Sequence, residues 1–155
     1  MSYEMRRKDR LLSQDDTKEI LAKGEYGVLS TVGEDGYPYG VPVNYVYENG
    51  AIYFHCASGV GHKLANIAHN SHVSFTVVTN AVIVPEGLTT KYTSAIAFGT
   101  AECVSGEEKR SALIALINKY APDFMAKGMV SIEKSFNVTD IIKITVESIS
   151  GKANK

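Results

Sequence analysis

The chain has 155 residues, of which 45% are hydrophobic and 21% are charged. This length and composition are typical of one globular domain with its own core, and they exclude a disordered protein and a coiled coil. Sixteen basic and seventeen acidic residues leave a formal charge of −1, which argues against a general polyanion-binding surface.

The sequence also indicates where the protein is expected to be located in the cell. No apolar run approaches the roughly 20 residues of a membrane span, and the polar segment Met1 to Arg10 predicts no secretory signal. The two cysteines, Cys56 and Cys103, make no disulfide framework. We therefore expect a cytoplasmic protein.

The chain-order pattern predicts an N-terminal arm over residues 1–12, one domain over 13–150 and a tail over 151–155. We expect the arm to be mobile or to lie on a partner subunit. Ser13, followed by two carboxylates, marks the start of a helix that runs to about Lys23. Gly24 is expected in the left-handed conformation that closes it.

From Tyr26 the hydrophobic period changes to two, and Tyr26 to Val32 is predicted as a strand followed by a turn at 33–36. The next predicted strand runs from Tyr37 to Tyr47 and has two distinct faces. Its odd positions are all large (Tyr37, Tyr39, Val41, Val43, Tyr45 and Tyr47), whereas its even positions begin with Pro38, Gly40, Pro42 and Asn44. One face can fill a core and the other leaves the backbone open to a flat ligand. The two prolines predict an edge strand or unpaired stretches.

The remaining pattern adds strands at 51–57, around 73–77, at 93–104 with a bend at Gly99, and at 138–149. On the first of these, Ile52, Phe54 and Cys56 share one face. Helices are predicted at 62–69 and from 105 to about 120. At least six strands in mostly hairpin order, with three helices at the margins, indicate a small antiparallel barrel of the α+β class.

The strongest local signal is the segment from Gly59 to Ile67. A loop with two glycines leads into a helix whose first residues are His62 and Lys63, and cations at that end oppose the helix dipole. An anion such as phosphate would remove this cost, since free backbone N–H groups and both side chains could hold it. Asn66, one turn further on, could reach the same anion. The alternative is a solvated helix start with an incidental basic pair.

Other chemistries find little support. His55 and Cys56 are adjacent on a strand and so point to opposite faces, which spoils them as paired metal ligands, and we predict no metal site. Cys56 and Cys103 are expected to be core thiols. No nucleophile elbow is present, so no catalytic residue is assigned. His55 is a weak candidate for a proton donor, and the alternative is a histidine that has only a structural role in its strand.

Four segments together resemble the FMN-binding split-barrel proteins: Gly24 to Thr31, Gly36 to Tyr45, Ile52 to Ala57 and Gly61-His62-Lys63. Within that superfamily the chain is similar to the pyridoxamine 5′-phosphate oxidase-like branch related to 5-nitroimidazole resistance proteins. The resemblance covers about residues 6–149. It implies a homodimer of six-stranded split barrels with FMN bound at the subunit interface.

The resemblance also implies site residues. Val41, Pro42, Val43 and Asn44 would lie along the isoalloxazine ring, His55 and Cys56 would border the ribityl chain or phosphate, His62 and Lys63 would hold the phosphate, and Ser94 would reach the flavin from the second subunit. The oxidase has an arginine–lysine pair where this chain has His62-Lys63. We therefore expect weaker, pH-sensitive phosphate binding, and the contacts expected for a pyridoxal phosphate substrate are not evident.

Two functional hypotheses follow. The first is an FMN-dependent oxidoreductase that takes a hydride from a reduced nicotinamide and passes electrons to a small acceptor, such as a nitro compound or a quinone. The second is a non-catalytic carrier or sensor that binds flavin or heme. In both, the partners are a second copy of the chain and small molecules, with no nucleic acid and no membrane.

Overall fold

A computed structural model describes residues 3–155 and consists of one antiparallel sheet with helices packed around it. The α-helices are α1 (Gln14–Lys23), α2 (His62–His69), α3 (Gly106–Tyr120) and α4 (Met125–Ser135). The strands are β1 (Gly27–Val32), β2 (Pro38–Val43), β3 (Val46–Glu48), β4 (Ala51–Ala57), β5 (His72–Val84), β6 (Thr89–Val104) and β7 (Thr139–Asn154). Short 3-10 helices cover Lys8–Arg10, Pro85–Gly87, Pro122–Phe124 and Phe136–Val138. None of the helices within residues 3–155 is long and apolar enough to cross a membrane.

The α+β class with an antiparallel sheet is confirmed, but the expected strand count is corrected. The sheet has seven strands in the order β2-β1-β5-β6-β7-β4-β3 and is not closed into a barrel. A fourth helix, α4, was not predicted. It follows α3 after a short turn at Pro122–Phe124, and the two helices pack against each other.

The additional strand arises because the predicted strand 37–47 is two strands. β2 pairs with β1, whereas β3 pairs with β4, so the two lie at opposite edges of the sheet. The break falls at Tyr45, whose side chain is fully buried and donates a hydrogen bond to the Leu21 carbonyl oxygen at 2.5 Å. Burying this large side chain pulls the chain out of the β2 register. The edge position expected from the two prolines is confirmed.

The main core lies on one face of the sheet, under α1 and α2. It contains the residues at which alternation predicted burial on β4 and β5 (Ile52, Phe54, Cys56, Val73, Phe75 and Val77). The alternation fails just before β2, where Tyr37 is 75% exposed. A second, smaller cluster lies on the opposite face, where α3 covers Val46, Val104 and Ile141. The predicted bend at Gly99 is confirmed as a register shift between Phe98 and Gly99.

Both predicted chain ends need correction. Residues 151–154 are not a tail, since β7 continues to Asn154 and this last stretch pairs with residues 92–95 of β6. This final stretch also holds the expected arm, because the Leu12 N–H donates to the Gly151 carbonyl oxygen at 3.0 Å and Leu11 bridges to Lys152. Of the arm, residues 1 and 2 lie outside the described part of the chain.

Gly24 closes α1 but not in the left-handed conformation that the sequence predicted. Its φ is −59° and its ψ is 138°, a conformation open to other residues. A Cβ atom there would lie 2.3 Å from Val77 Cγ1 and 2.5 Å from the Tyr45 hydroxyl oxygen. Close packing of the helix end on the core therefore explains the glycine.

Candidate functional site

The amino end of α2 has the features of an anion-binding site. Gly61 precedes the helix with φ of 109°, and no side chain caps the helix there. The N–H groups of the first helical turn therefore have no intrahelical partner. His62 and Lys63 are the first two residues of the helix, so two side chains that can carry positive charge stand at its positive end.

The His62 ring stacks on Tyr39, which joins this helix end to the edge strand β2. The ring centroids are 3.9 Å apart and the planes are inclined by 25°. Alternation predicts a core position for Tyr39 and gives no link to His62. The contact brings together the two segments that the sequence singled out separately, the cationic helix start and the proline-bearing strand.

Lys63 and Cys56 form the inner side of this region. Cys56 lies on the core face of β4 and is 8% exposed. Burial raises the pKa of its thiol, and the nearby positive charge of Lys63 opposes that rise. A thiol with a raised pKa is protonated at neutral pH, so Cys56 is a small apolar wall of the site rather than a nucleophile.

Asn66 is turned away from the helix end and is buried. Only 5% of the residue is exposed, and its Nδ2 donates to Thr31 Oγ1 at 3.0 Å. A Cβ atom at Gly33 would lie 2.1 Å from Asn66 Oδ1, so that glycine makes room for the amide. The Asn66 side chain therefore holds α2 on β1 and points away from any anion at the helix start.

His55 also stands apart from the other predicted site residues. It follows the alternation of β4 and points to the face opposite Cys56, where it lines a cavity under α3 and α4. The structure thus brings Cys56, His62 and Lys63 together and does not bring His55 to them.

The small face of β2 belongs to a broad uncovered sheet surface, here called the outer face. The strand register shows that the outer face extends from Gly40 and Pro42 on β2 across β1 and β5 to Ser94 on β6. Large apolar side chains on this face are exposed, among them Val78 by 50%, Ile96 by 38% and Phe98 by 46%. Ser94, which the resemblance implies would reach the flavin from the second subunit, therefore shares a surface with Pro42.

The far end of β2 is held by residues of α3 that sequence analysis missed. The Tyr120 hydroxyl accepts a hydrogen bond from the Tyr45 N–H at 3.0 Å, and Lys119 Nζ donates to the Tyr45 carbonyl oxygen at 2.9 Å. Asn44, predicted at the ring, donates from Nδ2 to the Glu25 carbonyl oxygen at 3.1 Å. Asn44, Lys119 and Tyr120 line one cleft of about 480 Å³. Partial burial lowers the pKa of Lys119 to about 8.

The family model described as pyridoxamine 5′-phosphate oxidase matches residues 13–153, nearly the whole chain. The chain belongs to the pyridoxamine 5′-phosphate oxidase family. The members of this family are flavin-binding split barrels, which agrees with the open antiparallel sheet and the uncapped, cationic helix end. No curated protein matches the chain.

Solved structures share the fold at low sequence identity. A proposed 5-nitroimidazole antibiotic resistance protein from Bacteroides thetaiotaomicron has a TM-score of 0.75 at 22% identity, over 94% of this chain and 90% of that one. A conserved hypothetical protein from Mycobacterium tuberculosis has a TM-score of 0.80 at 18% identity, over 96% and 90%. An FAD- and heme-binding protein from Mycobacterium smegmatis has a TM-score of 0.77 at 21% identity, over 92% and 72%.

Proposed function

We propose that this member of the family is an FMN-dependent oxidoreductase that acts as a homodimer and passes electrons from a reduced nicotinamide to a small acceptor such as a nitro compound. The observation that carries the proposal is the contact of His62 with Tyr39, which joins an uncapped cationic helix start to an unpaired strand edge. A phosphate and a planar ring need these two surfaces side by side.

The residues present fit a flavin mononucleotide along the free edge of β2. Free N–H groups, Lys63 and His62 supply the donors that a dianionic phosphate requires. From Tyr39 to Asn44 the strand spans about 16 Å at roughly 3.3 Å per residue. This length separates the phosphate end from the ring end, where Val41, Pro42, Val43 and Asn44 offer a flat surface.

Bound FMN would supply the hydride and electron transfer itself. The chain's own residues bind and orient it. The positive charge of Lys63 attracts the phosphate, and Cys56 and Val43 exclude water on the inner side. Pro42 leaves space beside the strand for the ring. No proton donor is assigned, because His55 faces another cavity.

A second copy of the chain is proposed to cover the outer face. Its support is the set of exposed apolar side chains at Val78, Ile96 and Phe98, which a lone chain leaves in water. Ser94 lies among them, and in the proposed dimer it would reach a flavin held by the other copy. Sedimentation during serial dilution, with flavin absorbance recorded in each peak, tests this. A demonstrated monomer that keeps its flavin would exclude a shared site.

The phosphate assignment is tested by charge reversal. We expect Lys63→Glu to weaken FMN binding at least 30-fold, equivalent to about 2 kcal/mol, because an attractive contact becomes a repulsion. The matched control is Lys127→Glu on the exposed side of α4. Equal FMN affinity in the two variants, measured by flavin fluorescence during titration, would contradict the assignment.

A carrier that binds flavin or heme without turnover is the second candidate, favoured by the structural similarity to the FAD- and heme-binding protein. The visible spectrum of the purified protein separates flavin bands from a Soret band, and chromatography of the released cofactor separates FMN from FAD. Anaerobic reduction by NADH or NADPH, followed by mixing with a nitroimidazole, then decides between enzyme and carrier. Reoxidation of the flavin supports the enzyme, and its absence with every nicotinamide and acceptor supports the carrier.

A further inference from the structure

The cavity that contains His55 lies between β4 and the α3–α4 helix pair and has a volume of about 340 Å³. Small-molecule sites start at about this size. It lies on the face of β4 opposite Cys56 and so is separate from the proposed flavin site. Most of its wall is apolar, formed by Leu113, Leu116, Ile117, Ile132 and Phe136.

Four polar side chains meet at this cavity, two from the sheet and two from α4. On the sheet, register pairs His55 with Ile141 and Ala57 with Thr139, so His55 and Thr139 are diagonal neighbours on one face. On α4, Ser131 and Ser135 are four residues apart and therefore lie on the same side of the helix. All four line the cavity, and none of their side chains hydrogen-bonds to another side chain or backbone group within residues 3–155.

The side chains that line the cavity limit the charge that its ligand can carry. No aspartate, glutamate, lysine or arginine is among the lining residues. An imidazole and three hydroxyl groups can all donate hydrogen bonds. Such a rim suits an acceptor-rich head with at most one negative charge and offers a cation no carboxylate.

The helix pair that forms the roof is fastened on both sides of the cavity, so the space is part of the fold. Lys109 Nζ donates to the Phe136 carbonyl oxygen at 2.5 Å, and Arg110 bonds Glu133 at 2.5 Å. At Gly128, which lines the cavity, an added Cβ atom would lie 2.6 Å from Ile117 Cδ1. The glycine therefore sets how closely α4 approaches α3.

From this convergence we infer that the cavity binds a small monocarboxylate with an apolar body, its carboxylate held by His55 and the neighbouring hydroxyl groups and its body lying against the leucine and isoleucine walls. The site does not depend on the flavin site, and its occupant is neither the electron donor nor the acceptor of the proposed reaction.

The test uses sodium octanoate as the probe on the full chain, with and without added FMN, followed by ¹H–¹⁵N correlation spectra. We expect saturable shifts confined to β4, α3 and α4, the same with and without FMN. His55→Ala should weaken octanoate binding at least 10-fold, since a hydrogen bond to a charged group is lost. The matched control His69→Ala, an exposed histidine at the end of α2, should leave the affinity unchanged.

A second probe separates a real site from general apolar binding. Octylammonium chloride has the same chain length and the opposite charge, and we expect it to bind at least 10-fold more weakly than octanoate. Equal affinity for the two probes, shifts elsewhere in the chain, or equal octanoate affinity in the two histidine variants would each overturn the inference. Because octanoate binding is measured without flavin, a failure here is distinct from a failure of the proposed function.

Discussion

The Tyr120 hydroxyl oxygen lies 3.0 Å from the Tyr45 amide nitrogen and 2.9 Å from the Tyr45 carbonyl oxygen, although 75 positions separate the two residues. The same hydroxyl oxygen lies 2.7 Å from the Glu25 carbonyl oxygen. One side chain at the end of α3 thus satisfies backbone groups at the point where β2 ends and β3 has not begun. This contact fixes the end of the strand proposed to carry the flavin.

Removing this hydroxyl should destabilise the fold. We expect Tyr120→Phe to lower the free energy of unfolding by about 1–3 kcal/mol, because the Tyr45 N–H loses its partner in a partly buried place. Urea denaturation at pH 7 measures the change. Tyr37→Phe is the matched control, since that side chain is 75% exposed, and a loss of equal size in the control would show that the Tyr120 contact is not responsible.

Replacing Gly24 tests the steric explanation for that glycine. We expect Gly24→Ala to cost about 1–3 kcal/mol of unfolding free energy, because the new methyl group would overlap Val77 and the Tyr45 hydroxyl. At Gly87 an added Cβ atom meets no atom closer than 3.4 Å, so Gly87→Ala serves as the control. Thermal and urea unfolding should leave the control near the wild type, and a neutral Gly24→Ala would refute the close packing.

The Asn66 side chain is expected to act through stability. Asn66→Ala removes the partner of Thr31 Oγ1, which is itself only 1% exposed, and leaves a cavity behind Gly33. We expect a loss of about 1–3 kcal/mol in urea unfolding of the protein without flavin. Ala65→Gly, at an exposed neighbouring position of α2, removes only helix propensity and should cost about 1 kcal/mol or less. No measurable loss for Asn66→Ala would return Asn66 to the list of ligand contacts.

Lys119 should make stability rise with pH between about 8 and 10. Its pKa is lowered to about 8 in the folded state by burial, so between this value and the unfolded pKa the unfolded chain binds more protons. Raising the pH through this window therefore removes a penalty on folding. Above about pH 10 the buried Tyr45 hydroxyl acts in the opposite direction, because burial raises its pKa and the unfolded chain ionises first.

The measurement is the urea midpoint of wild type and Lys119→Met at pH 7.5 and 9.5. Burial raises the pKa of the Cys56 thiol, so this thiol lowers stability as the pH rises through the same window. It does so equally in the wild type and in Lys119→Met. The rise attributable to Lys119 is thus the difference between the two pH responses. Lys127→Met should respond as the wild type does, and a Lys119→Met response parallel to it would contradict the predicted shift.

Residues 37–47 show what the pattern of residue types along the chain can and cannot predict about the fold. The two prolines correctly indicated an edge strand, alternation indicated the open face at Pro42, and the cation pair at 62–63 marked an uncapped helix start. Alternation did not reveal the break at Tyr45, because the groups that hold it, Lys119 and Tyr120, come from a helix far along the chain. The stacking of Tyr39 on His62 was missed for the same reason.

By itself the sequence determined which residues share a face and which helix end carries positive charge, since both follow from spacing along the backbone. The resemblance of four segments also placed the chain in its family. Only the tertiary structure decided what each face meets: Asn66 turns to Thr31, His55 to the helix pair, and Ser94 to the same surface as Pro42. Long-range pairing and packing select those neighbours, and no local period encodes them.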